Sequence, residues 1–248
     1  ILKNGMGVGI PGTGMVGLHI AAALGAVCGK SEYGLEVLHD LDEASISRAK
    51  QLVENKSVTV GLAETDHKLY VKATVLAEDN HSACAVIEDD HDNIVETWYD
   101  ATILTSSHKA EGSDCPDQKT TLDYNLTVRE ILDFATTVAY EDIEFILESR
   151  TLNLALAHEG LKGCYGLKVG YAINLEDNKE VFGGDFLSYA MSLTAAASDA
   201  RMAGCTLAAM SNSGSGNQGI TVSMPVIAYA LKYDISDEKL ARALIMSN

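Results

Sequence analysis

The densest set of short polar donors in the chain is Ser211-Asn-Ser-Gly-Ser-Gly-Asn-Gln-Gly219, set between an alanine-rich segment and an apolar run that reaches Leu231. Gly214, Gly216 and Gly219 permit positive φ and close backbone approach, so consecutive N–H groups can converge on an anion. Ser213, Ser215, Asn217 and Gln218 add side-chain donors at low entropic cost. At a helix start such a turn favours a carboxylate or phosphate, because the unpaired amides and the helix dipole act together. A solvated Ser/Gly linker has the same composition and is the competing reading.

A second cluster, Gly12-Thr-Gly14-Met-Val-Gly17, spells G-x-G-x-x-G ahead of Leu18-His-Ile-Ala-Ala-Ala-Leu24. That spacing is the dinucleotide fingerprint when it follows a buried parallel strand. Here the preceding stretch is glycine-rich and contains Pro11, and the acidic candidates Glu36 and Asp40 precede another helix. Two readings compete with nucleotide binding: a tight turn between packed elements, and a contribution to a substrate pocket through Thr13.

Among the histidines, His91 lies between Asp90 and Asp92, a setting that suits a proton donor or base. A solvent-facing loop is the alternative. His158-Glu159-Gly160 has the composition of a helix end, and Asp199 and Arg201 read as a local charge pair beside the glycine turn. The five cysteines, Cys28, Cys84, Cys115, Cys164 and Cys205, show no C-x-x-C spacing. They read as free thiols in a reducing compartment, and no metal ligand is assigned among them.

These residues must be positioned by a folded body. Hydrophobic residues make up 47% of the 248 and charged ones 21%, enough for one large or two ordinary domains. The net charge of −17 disfavours nucleic acid, and no uninterrupted apolar run of about 18 residues suggests a membrane span. A cytoplasmic protein with a small amino acid as partner fits this composition, and homo-oligomerisation is left open.

The predicted fold class is α+β: an antiparallel β-meander domain with flanking helices over 1–115, then a mostly α-helical domain over 116–248. Asp40, with Glu43 three residues on, is taken as the cap of a helix carrying Ile46, Ala49 and Val53. Strand-like runs follow at Val58–Val60, Leu69–Val75, Ala83–Ile87, Ile94–Tyr99 and Thr102–Leu104. The polar stretch from Ser106 to Asn125 is taken as linker. Thr127-Val-Arg-Glu130 is a capping box, with a helix break expected between Thr136 and Tyr140.

The two glycine clusters, together with Arg201-Met-Ala-Gly204, Gly34-Leu-Glu-Val-Leu38, His91-Asp-Asn-Ile-Val95, Ala157-His-Glu-Gly-Leu161 and Leu240-Ala-Arg-Ala-Leu244, resemble the L-cysteine desulfidase family, relatives of the iron–sulfur L-serine dehydratase alpha chain. The resemblance runs the whole length. It implies a lyase that carries out α,β-elimination on a small L-amino acid, converting L-cysteine to pyruvate, ammonia and hydrogen sulfide. L-serine dehydration on the same scaffold and a non-catalytic amino-acid-binding protein are the alternatives. In this reading Ser213, Ser215, Gly216, Asn217, Gln218, Gly219 and Thr13 bind substrate, and His91 is the catalytic candidate.

The family's Gly-Cys-Thr-Glu-Pro motif and its later cysteines are not in these residues; Cys205 follows Gly204 and precedes Thr206 without the Glu-Pro. The resemblance therefore implies the central part of a longer protein, with the ligands of a [4Fe-4S] cluster outside this chain. Reconstituted alone with iron and sulfide, these 248 residues are expected to lack the broad visible absorbance of a [4Fe-4S] centre and to release no sulfide from cysteine. A stable cluster spectrum or sulfide release would place ligands inside the chain.

Overall fold

The structure is a computed structural model that describes residue 5 and residues 7–106 and 126–248. The chain divides into two compact units, Ile1–Thr121 and Leu122–Asn248. From residue 107 on, the expected linker lies outside the described residues, as does the boundary at 115/116.

In the first unit, β1 (Gly9–Ile10) and β2 (Met15–Val16) form a two-residue antiparallel hairpin that leads into α1 (Leu18–Cys28). Ile20, Ala23 and Leu24 of α1 pack on Ala49 of α2 (Glu43–Glu54). The cap of α2 is Asp42, whose carboxylate accepts the Ser45 N–H at 2.7 Å. Asp40, expected in that role, is spent on Lys30, Tyr33 and His39; Lys30 above all holds its carboxyl well below the usual carboxylate range. Val58–Val60, expected as a strand, is irregular, and Val58 packs against the α1–α2 core.

The meander is present as β3 (Tyr70–Leu76), β4 (Ser82–Glu88), β5 (Ile94–Tyr99) and β6 (Thr102–Ser106), antiparallel and paired in chain order. Alternate residues of β4, Cys84 and Val86, are buried with Val95, Tyr70 and Trp98, the period of 2 expected of a half-buried sheet. With this antiparallel sheet in the first unit and helices in both, the α+β class holds.

The second unit is helical over its described residues. α3 (Val128–Thr137) starts at the Thr127–Glu130 capping box, and the chain breaks before α4 (Tyr140–Ile143). A 3₁₀ turn leads into α5 (Glu148–Gly160), then come α6 (Val169–Asn174), α7 (Lys179–Phe182), α8 (Phe186–Met202), α9 (Gly216–Tyr233) and α10 (Asp237–Ser247). Arg242 of α10 donates to the Ala135 and Val138 carbonyls and so closes the C-terminal end of α3.

α8 is the central element. Its buried residues are small: Ala190, Ala196, Ala197, Ala200, Ser188 and Ser192, with Leu193. A Cβ on Gly160 of α5 would overlap the Ala196 carbonyl oxygen, and one on Gly170 of α6 would overlap the Ala196 amide. α9 runs antiparallel to α8: Arg201, at the end of α8, meets Asn217 at the start of α9, and Phe186, at the start of α8, meets Tyr229 and Tyr233 at the end of α9.

One buried amide ties these helices together. Asn153 of α5, with no exposed surface, accepts the Met210 N–H at 3.0 Å and donates to Ser223 Oγ of α9 at 2.8 Å; Ser223 donates to the Gly219 carbonyl. Replacing Asn153 by alanine strands the Met210 N–H and opens a void, each worth on the order of 1–3 kcal/mol. The expected result is a loss of about 2–4 kcal/mol in urea unfolding; a loss below about 0.5 kcal/mol would show that the amide carries no such role.

Candidate functional site

The polar glycine turn sits where α9 begins. Ser213 (φ 49°) and Gly214 (φ 73°) are both left-handed, so the chain reverses within two residues. Asn212 and Ser215 exchange both backbone hydrogen bonds across the reversal, at 3.1 and 2.9 Å. Ser215 is the N-cap and accepts the Gln218 N–H at 3.3 Å. Helix α9 starts at Gly216, inside the motif, and Pro225 lies in its interior.

Most of the polar side chains in the motif hold the turn itself. Asn212 Oδ1 accepts from Ser213 Oγ at 3.0 Å and from Gln218 Nε2 at 2.8 Å. Gly219 is a packing residue: its Cβ would lie 2.9 Å from the Met210 carbonyl carbon and overlap the oxygen. The Gly216 and Asn217 amides belong to the first turn, where a helix has no carbonyls of its own to offer them.

Arg201 supplies the charge. Its guanidinium lies against Gly216, where a Cβ would stand 2.8 Å from Cζ, and Nη1 donates to Asn217 Oδ1 at 3.0 Å. The expected Asp199–Arg201 pair does not form. Asp199 instead accepts the Gly170 N–H at 3.1 Å, and among the described residues no carboxylate forms a salt bridge with Arg201. Residues two apart on a helix point away from each other, which is why the pair fails. A guanidinium without a carboxylate, beside two first-turn amides, has the donor chemistry to hold a planar anion through two parallel N–H bonds.

Next in chain order after Gly204 comes Cys205, a half-buried free thiol that packs against the α5–α8–α9 core with Tyr165. Tyr165 donates to Glu159 Oε1 at 3.1 Å, and Lys162 pairs with Glu159 Oε2 at 2.5 Å. Burial, then the Glu159 contact, pushes the Tyr165 phenol up to about 12, so it stays protonated at neutral pH. Lys162 holds the Glu159 carboxyl below the usual range. His158 is exposed on the last turn of α5.

The remaining expected site residues lie in the first unit. Thr13 is buried in the β1–β2 turn, where its hydroxyl donates to the Ile10 carbonyl at 2.7 Å and accepts the Met15 N–H at 2.9 Å. Its bonding capacity is used in shaping the hairpin. The G-x-G-x-x-G glycines form this antiparallel turn, whereas a dinucleotide site needs a parallel βαβ unit. His91 is exposed in the loop between β4 and β5. The acidic side chains of that loop engage His67 instead, with Nδ1 3.3 Å from Asp89 and Nε2 3.7 Å from Glu88.

Among the described residues no group of three or more His, Cys, Asp or Glu is arranged to hold a metal ion, and Cys28, Cys84, Cys164 and Cys205 are free. The described residues therefore do not fit an iron–sulfur cluster, and the chemistry below uses none.

With this geometry in place, comparison with known proteins identifies the class. The serine dehydratase alpha chain family model matches residues 32–248. The chain is 46% identical over 248 residues to a UPF0597 protein of Oleidesulfovibrio alaskensis, covering all of this chain and 57% of that protein. It is 43% identical over 250 residues to a UPF0597 protein of Phocaeicola vulgatus and 45% over 252 residues to one of Aeromonas hydrophila, covering all of this chain and 57% and 56% of those proteins. The chain belongs to the serine dehydratase alpha chain family, and it spans a little over half the length of these relatives. No solved structure matches it.

The two helix glycines should separate in their effects. Gly219→Ala forces a Cβ into backbone at Met210 and should cost about 2–4 kcal/mol in urea unfolding. Gly216→Ala meets only the movable end of Arg201, so stability should change by less than about 1 kcal/mol while the guanidinium is displaced from the α9 start. Equal destabilisation by both would mean that Arg201 is held as rigidly as the backbone.

Proposed function

We propose that this chain is the substrate-binding body of a lyase that eliminates the β-substituent of a small L-amino acid, with L-cysteine giving pyruvate, ammonia and hydrogen sulfide. The observation that carries this reading is Arg201, free of carboxylate partners and set against the start of α9. The substrate carboxylate docks on the guanidinium and on the Gly216 and Asn217 amides. Asn217 orients Arg201, while Ser213, Ser215, Gln218 and Gly219 hold the turn that aims these donors.

Removing the Cα proton of the bound amino acid lets the β-leaving group depart. The resulting aminoacrylate tautomerises and takes up water, giving pyruvate and ammonia. With cysteine the leaving group is sulfide; with serine it is water. His91, exposed in the β4–β5 loop of the first unit, is the candidate that the sequence offers for the base. The family resemblance also implies a [4Fe-4S] cluster with ligands outside this chain, and none of these steps is assigned to it. Membership in the serine dehydratase alpha chain family supports L-serine as the second substrate.

The test is anaerobic steady-state pyruvate formation from L-cysteine and L-serine by the full-length protein. Asn217→Ala removes one charge-assisted contact worth about 1.5–3 kcal/mol, so kcat/KM should fall roughly ten- to a hundredfold with folding intact. Arg201→Met should cost more, and His91→Asn about 10²-fold or more in kcat. Unchanged kcat/KM in Asn217→Ala and Arg201→Met on both substrates would remove the α9 start from the site; unchanged kcat in His91→Asn would remove the base.

A further inference from the structure

The opposite ends of α8 and α9 border an open cavity of about 290 Å³, lined by Asn174, Lys179, Asp185, Ser188, Tyr189 and Lys232 among others. Asp185 and Ser188 stand at the start of α8 and Arg201 near its end, so the cavity lies roughly 20 Å along the helix from the glycine turn. Nothing in the reading of that turn uses it.

Its polar groups divide by charge. The Lys232 ammonium stands 5.9 Å from the Tyr189 ring centre and makes no salt bridge among the described residues. Lys179 pairs with the exposed Glu176 at 2.5 Å. Asp185 caps α8 through Oδ1, which accepts the Ser188 N–H at 3.0 Å and the Ser188 hydroxyl at 3.1 Å, and Oδ2 lies outside these bonds. Lys179, Lys232 and Asp185, all exposed, thus line one small space, and Asp185 Oδ2 is outside the capping bonds. That is the complement of a molecule carrying a carboxylate and an ammonium a few ångströms apart.

We propose that this cavity is a second ligand site, separate from the glycine turn, that takes a small zwitterionic α-amino acid, its carboxylate on Lys232 and Lys179 and its ammonium on Asp185 Oδ2. Tyr189 and Asn174 also line the cavity, while the buried Ser188 hydroxyl is spent on the Phe182 carbonyl and Asp185. A purely anionic ligand of the same size, such as a 2-oxo acid, gains the lysines but meets Asp185 unpaired. Selectivity for the amino acid over its oxo acid follows from that carboxylate.

Calorimetric titration of the purified protein with L-serine, and with pyruvate as the probe lacking an ammonium, tests this site. Arg201→Met disables the glycine-turn site and should leave one saturable event for L-serine. In that background Lys232→Met, which keeps the stem over Tyr189, should weaken L-serine at least about tenfold. Asp185→Asn keeps an oxygen to cap α8; it should weaken L-serine about tenfold and leave pyruvate unchanged or tighter. The proposal is overturned if Arg201→Met protein shows no binding at about 10 mM L-serine, ten times a Kd of about 1 mM, or if Lys232→Met binds as tightly as its parent. Equal weakening of both ligands by Asp185→Asn would overturn the zwitterionic assignment. Survival of the fold in Lys232→Met, an exposed position, is checked by its melting curve.

Discussion

The helical unit depends on backbone-to-backbone contact at Ala196. Two glycines from different helices, Gly160 and Gly170, close on that one residue, and neither tolerates a Cβ without moving the chain. Contact at that range is only possible along a stripe of small side chains, which is why α8 reads as alanine and serine rather than as leucine. The usual amphipathic stripe is missing because α5, α6 and α9 cover α8 on several sides. Small-residue packing also leaves little slack. The position of Arg201 at one end of α8 and of Asp185 at the other is therefore set by the same rigid helix.

At the glycine turn the same device recurs with polar insurance. Gly219 lets Met210 cross the first turn of α9, and Asn153 and Ser223 fix the crossing by hydrogen bonds from below. Asn212 performs the equivalent task from above, gathering Ser213 and Gln218 onto one oxygen. The turn is thus built before any ligand arrives. A preorganised set of donors loses little entropy on binding, which is what a site for a small ligand with few contacts requires.

Much of this frame was legible in the sequence. The strand runs Leu69–Val75, Ala83–Ile87, Ile94–Tyr99 and Thr102–Leu104 fall on the observed meander because β-branched and aromatic residues alternate there without competing signals. The Thr127–Glu130 box was readable because both partners are local. Where partners are distant, the reading failed. Asp40, with Glu43 three residues on, reads as the cap, but Lys30, Tyr33 and His39 divert it and Asp42 takes the role. Val58–Val60 has strand composition but no strand to pair with. Asn153 organises the turn through tertiary bonds that no spacing announces, whereas Asp199 and Arg201, two apart on a helix, could have been separated from periodicity alone.

Charge decides what kind of ligand such a frame can hold. The chain carries a formal net charge of −17, so the field around it repels small anions out to about one Debye length, roughly 8–10 Å. Attraction must then come from short-range donors, and Arg201 and Lys232 are two cations that form no salt bridge among the described residues. A dianion approaching either one works against the whole protein before it meets the nearest guanidinium or ammonium. A zwitterion carries no net charge, feels little of that repulsion, and still presents a carboxylate to the donors at contact. At equal contacts, a net-negative surface of this kind therefore penalises oxo acids and phosphates more than amino acids of similar size, before any side-chain pocket discriminates among them.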